Sequence, residues 1–126
     1  MKALALPIGT SLALCALAAV AKDEPVDQIA KGKQVYEYNC IACHGSGPGF
    51  PPFPELPGTS ALRMRYGNSV PALLTERTNL TPEFVAVFVR NGISVMPFYR
   101  KTEISDPDLA ALGAYLSRNN PDLKSK

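Results

Sequence analysis

Residues 40–44 read Cys40-Ile41-Ala42-Cys43-His44. The spacing C-x-x-C-H is the pattern that attaches a c-type haem. The two thiols add across the vinyl groups of one porphyrin. The two residues between them let the chain turn, so both sulfurs reach the same edge. The histidine follows directly, which sets its imidazole beneath the iron as an axial ligand. Other readings of the same residues explain less. Tetrahedral zinc wants about four ligands, and the only further cysteine or histidine in the chain is Cys15. A thioredoxin-like redox pair needs a βαβ setting, and no such pattern surrounds this stretch. A structural disulfide gives His44 no role.

The N-terminus reads as an export signal. Lys2 supplies the positive start, Leu12 to Val20 is apolar and small, and Ala19-Val20-Ala21 fits a small-x-small cleavage site. Residues 1–21 are therefore expected to be removed, leaving one domain over residues 22–126. The apolar run is short for a membrane span, so none is expected after cleavage. Retention as an uncleaved anchor is the alternative. Cys15 follows Leu14 rather than a small residue, which argues against lipidation, and cleavage would remove it. Export suits the motif, because haem is attached outside the bacterial inner membrane, where cysteines must survive oxidation. Without Lys2 the chain keeps 12 basic and 11 acidic side chains, a net charge of +1. Residues 60–101 are the basic part, with Arg63, Arg65, Arg77, Arg90, Arg100 and Lys101 against Glu76 and Glu83. That segment is placed to steer an acidic partner. There is no basic run and no aromatic-interleaved patch, so nucleic-acid binding is not expected.

Along the chain, a helix is expected from about Val26 to Asn39, with Ile29, Gly32, Tyr36 and Cys40 on one face. Gly32 costs a helix about 1 kcal/mol relative to alanine. Either a close helix crossing requires it or a soft helix tolerates it. Residues 45–59 hold Pro48, Pro51, Pro52, Pro54 and Pro57, which exclude a helix and favour a stiff extended path. A backbone carbonyl of this loop is the expected acceptor for the second ring N–H of His44. Residues 61–66 form a short helix ended by Gly67. Arg63, Arg65 and Tyr66 have the donors that haem propionates require, although an ordinary solvated face is the simpler alternative. Thr81, Pro82 and Glu83 open a further helix that Gly92 stops, with Phe84, Val85, Phe88 and Val89 as its apolar face.

Met96 follows that stop and precedes Pro97, which suits a loop holding a thioether against the second face of the iron. The alternative is a core methionine filling a gap. Met96 lies 52 residues after His44, ample chain to circle a haem, whereas Met64 lies only 20 residues away across a stiff segment and ranks second. The last helix starts near Asp106-Pro107-Asp108, carries Leu109, Leu112 and Leu116 on one face beside Tyr115, and ends near Asn119-Asn120-Pro121. Leu112 or Tyr115 is the natural residue to sit over Gly32. A buried haem would supply much of the apolar surface of so small a domain, so a poorly folded apoprotein is expected.

With the haem motif early and Met96 in a late loop, the chain resembles the class I cytochromes c over residues 26–119. The resemblance implies an all-α fold of three to five helices around one covalently bound haem, the first and last helices crossing. In the cytochrome c′ bundle the motif lies near the C-terminus instead. Val89-Arg90-Asn91-Gly92 followed by Met96-Pro97 is similar to the small cytochrome subunits of periplasmic flavoprotein dehydrogenases such as p-cresol methylhydroxylase. These resemblances imply a periplasmic electron carrier rather than an enzyme. Cys40 and Cys43 are its thioether links, and His44 and Met96 its axial ligands. The electron donor is a dehydrogenase, with a flavoprotein as one candidate, and the acceptor is an oxidase or another cytochrome. An obligate flavocytochrome subunit is the runner-up, and an open-site haem sensor or enzyme comes third.

Overall fold

The structure is a computed structural model that describes residues 25–124. The expected signal peptide, residues 1–21, lies outside the described residues. Among those described, the chain forms five α-helices and no β-strand: α1 (Pro25–Asn39), α2 (Ile41–His44), α3 (Pro57–Tyr66), α4 (Pro82–Asn91) and α5 (Asp106–Ser117). Two 3₁₀ turns, Leu74–Glu76 and Pro121–Leu123, complete the secondary structure. The all-α class I cytochrome c expectation holds. No described helix is long and apolar enough to cross a membrane.

The α1–α5 crossing is the most extensive helix contact, and Gly32 decides its closeness. A Cβ at Gly32 would overlap the carbonyl oxygen of Ala111 and come within 2.7 Å of the Tyr115 Cβ. The glycine is therefore required, and Tyr115 is one of the residues over it, as expected. The Tyr36 and Tyr115 rings meet beside the crossing with centroids 5.8 Å apart. Val35, Tyr36, Leu109, Leu112, Tyr115 and Leu116 form the core here, joined by Val85 and Val89 from α4 and by Leu80 and Ile104 from the connections.

Helix α4 begins and ends where its punctuation indicates. The Thr81 hydroxyl accepts from the Phe84 N–H at 3.2 Å, Pro82 occupies the first turn, and Gly92 follows with φ 64°. Its expected apolar face is split. Val85 and Val89 are buried, whereas Phe84 is 43% exposed and Phe88 is half-buried. Successive residues lie about 100° apart on a helix, and α5 covers only the valine line. The two phenylalanines pack on one another instead, centroids 4.8 Å apart.

Helix α3 is longer than expected. It starts at Pro57, inside the stretch whose prolines were expected to exclude a helix. The reason is positional: proline lacks only an N–H that the first helical residue would leave unbonded anyway. Gly67 ends it in the left-handed region, φ 56°. Residues 68–80 hold only the 3₁₀ turn Leu74–Glu76 and are tied to the end of α5. Arg118 Nη2 and Asn119 Nδ2 donate to the Thr75 carbonyl at 3.1 and 2.9 Å, and Asn120 Nδ2 donates to the Leu80 carbonyl at 2.8 Å.

Candidate haem site

The C-x-x-C-H stretch folds as one helical turn hung on the end of α1. The His44 and Cys43 N–H groups donate to the Cys40 carbonyl at 2.9 and 3.1 Å, and the Cys40 N–H donates to the Tyr36 carbonyl. Two side chains then fix the exit of the turn. The Tyr36 hydroxyl donates to the His44 carbonyl at 2.7 Å, and the Thr59 hydroxyl donates to the Gly45 carbonyl at 3.0 Å. Gly58, in the first turn of α3, lies against the imidazole, where a Cβ would come within 2.7 Å of Cε1 and 2.8 Å of Nδ1. Burial lowers the His44 pKa, and the positive charge of Arg77 lowers it further. Both effects favour the neutral ring, the form that binds a metal. Burial also pushes the Cys40 thiol up to about 11, while Cys43 is exposed.

His44 Nδ1 is buried and has no hydrogen-bond partner. The expected acceptor, a carbonyl of residues 45–59, does not reach it. The helical start of α3 explains this, since Gly58 lies against the ring at the N-terminal end of a helix, whose carbonyls point along its axis away from that end. The second buried atom in the same state is Nη2 of Arg77. Arg77 is 3% exposed, donates through Nε to the Pro71 carbonyl at 2.9 Å, and stacks over the Tyr66 ring at 4.7 Å. No ion pair to it occurs among the described residues. Arg65 lies over the same ring at 5.6 Å. The Tyr66 phenol is held below its ordinary pKa, first by its hydrogen bond from Arg65 and then by the charges of Arg65 and Arg77. Arg63 stands apart, its Nε bonded to both carboxylate oxygens of Glu55 at 2.8 and 2.9 Å.

Met96 sits in a tight turn after α4. Its N–H and carbonyl both pair with Ile93, at 2.9 and 3.1 Å, and Ser94 takes φ 53° to close the turn. The Tyr99 hydroxyl donates to the Asn39 carbonyl at 3.0 Å, which brings this loop to the residue before Cys40. Burial raises the Tyr99 pKa, with Cys40 and Cys43 the next contributors. Met96 is half-buried, whereas Met64 is 84% exposed on α3.

These features fit a haem and little else. Among the described residues no three His, Cys, Asp or Glu side chains gather to hold a metal ion. The absence of strands among them removes the thioredoxin-like alternative. Helix α2 buries no residue and α3 buries only Thr59. Ile41, Ile93 and Phe98 are exposed, and Val95 is 91% exposed. A flat apolar group with carboxylates for Arg77 would match the uncovered apolar side chains and the orphaned Nη2, while His44 Nδ1 faces Gly58 and leaves Nε2 as the nitrogen an iron would take.

The family model described as cytochrome C oxidase, cbb3-type, subunit III matches residues 27–116. The chain belongs to that family of c-type cytochrome domains. Its cofactor is covalently bound haem c, and its chemistry is electron transfer through that haem. No curated protein and no solved structure matches the chain, so the likeness to p-cresol methylhydroxylase subunits gains no support. Sequence reasoning did not single out Arg77 for this cytochrome's site. Its signal, an arginine in an irregular stretch after Pro71, is indistinguishable from a surface residue until the ties to Thr75 and Leu80 are seen.

Proposed function

We propose that this cytochrome is a periplasmic one-electron carrier with His44 and Met96 as the axial ligands and Cys40 and Cys43 as the thioether links. When bound, haem c supplies a single electron by cycling between ferrous and ferric iron. The protein's part is to hold that group still. Burial and Arg77 favour the neutral form of His44, which is locked by bonds to its own carbonyl and the next. Arg65, Tyr66 and Arg77 take the propionates, while Glu55 competes for Arg63. Residues 1–21 are the signal that exports the chain, and residues 22–126 are the mature domain. A periplasmic dehydrogenase, a flavoprotein among the candidates, is the donor, and an oxidase or another cytochrome is the acceptor. The helical turn that gathers Cys40, Cys43 and His44 at the end of α1 is the observation that carries the proposal.

The visible spectrum of oxidised holoprotein tests the ligation. A weak far-red band from methionine-to-ferric-iron charge transfer is expected, lost in Met96→Ala and kept in Met64→Ala. Loss in Met64→Ala alone would assign the ligand to α3. A second reading, a tightly held subunit of a larger complex, draws on the oxidase-subunit description of the family. Gel filtration of native extracts separates the two, because a free carrier elutes at the mass of one small domain.

A further inference from the structure

Arg90 closes the last turn of α4, where a cation ordinarily does no more than offset the helix dipole. Here its contacts reach further. Nη1 donates to the Tyr99 carbonyl at 3.0 Å and to the Ile104 carbonyl at 2.9 Å, and Nη2 donates to Asp106 at 2.9 Å. The side chain is only 22% exposed. The chain leaves α4 at Gly92, turns at Met96 and comes back through Tyr99 and Ile104 to α5. One guanidinium thus gathers two carbonyls of the return path. Tyr99 extends the hold, donating its N–H to the Val89 carbonyl at 2.8 Å and its hydroxyl to Asn39. Apolar packing does not fix the turn, since Ile93, Val95 and Phe98 are all exposed. The return path is held by these polar ties together with Ile104 in the core and Tyr99 packed against it.

We propose that Arg90 is the positioning residue for Met96: by holding the Tyr99 and Ile104 carbonyls it fixes the loop and keeps the thioether at the haem iron. The inference rests on the reading of Met96 as a ligand. A neutral thioether is a weak ligand, so loop opening competes directly with it. The planar fork of arginine serves two carbonyls and a carboxylate at once, which an ammonium group cannot do.

The test compares holoprotein with Arg90→Gln, Arg90→Lys, Asp106→Asn and Leu116→Ala, the last being a core change at the far end of α5. The readouts are the far-red band, the rate at which the ferrous protein binds carbon monoxide, and global stability in guanidinium. Arg90→Gln is expected to bind carbon monoxide at least tenfold faster than wild type and to weaken the band. Arg90→Lys should behave like Arg90→Gln and carries the test if that variant does not mature. Asp106→Asn keeps both carbonyl bonds and should stay near wild type, and Leu116→Ala should lose stability without the tenfold gain. An unchanged carbon monoxide rate in Arg90→Gln overturns the proposal, as does rescue by lysine or an equal gain in Leu116→Ala. A wild type that lacks the band and binds carbon monoxide at once overturns the ligation reading itself, and the clamp with it.

Discussion

At Gly32 a missing side chain sets the distance between the first and last helices, and at Gly58 another lets a helix lie against the His44 ring. The consequences of filling the two places differ. Gly32→Ala gains about 1 kcal/mol of helix propensity. Against that, its Cβ meets a backbone carbonyl that cannot rotate away, and overpacking of this kind costs up to about 3 kcal/mol. A net loss of roughly 2 kcal/mol in guanidinium unfolding is expected. Gly113→Ala makes a useful comparison, because its Cβ would meet Pro82 at 3.0 Å and ask for only a small shift. Its loss should be clearly smaller, and equal stability of Gly32→Ala and wild type would refute the close crossing. The C-x-x-C-H turn was visible in the sequence because it acts through its own residue types and spacing, whereas for Gly32 the sequence left a close crossing and a soft helix equally open. Arg77 was not visible, because its burial depends on Arg118, Asn119 and Asn120 drawing in a segment some 40 residues away.

The N-terminus of α5 gathers a cluster of charges. The Ser105 hydroxyl accepts from the Asp108 N–H at 3.2 Å and donates to the Asp108 carboxylate at 2.8 Å, which in turn pairs with Lys31 of α1 at 3.1 Å. Asp106 binds both Arg90 and Lys101. The Ser105 hydrogen bond, and then Lys31, hold the Asp108 pKa below the ordinary carboxylate value, while Lys101 and then Arg90 do the same for Asp106. A depressed carboxylate contributes stability above its unfolded pKa, and that stability is lost as pH falls through the folded one. The melting temperature should therefore fall on the acid side of the usual aspartate range, and fall less in Asp108→Asn. A curve unchanged by that substitution would remove Asp108 from the explanation. Ser105→Ala should cost about 1 kcal/mol at neutral pH through the lost cap. Ion pairs offset the basic segment: Glu55 pairs with Arg63, Asp106 with Arg90 and Lys101, and Glu103 with Arg100. The cap and stop of α4 were readable in advance, since Thr81, Pro82 and Gly92 act within one turn, but the cap of α5 is Ser105 rather than the expected Asp106. The start of α3 was not readable, because Pro57 reads equally well as the end of a stiff loop.

Among the described residues, α1, α4 and α5 supply eight of the ten buried residues of the core and the connections supply Leu80 and Ile104, while α2, α3 and the Met96 turn add none. A bound haem would therefore add apolar contact on the side where α2, α3 and the Met96 turn lack it, as small domains often require. Haem-free protein, made by Cys40→Ala with Cys43→Ala, should keep part of its far-ultraviolet helix signal and lose a cooperative melt. A full cooperative transition would show that the protein core suffices. The central claim is that this chain closes both faces of one covalent haem with His44 and Met96 and so works as an electron carrier. The measurement that tests it most directly is the spin state of the ferric holoprotein at neutral pH, by electron paramagnetic resonance. A wholly low-spin signal is the expected result. A dominant axial high-spin signal would mean an open iron face, with Met96 left as a packing residue, and would contradict the claim.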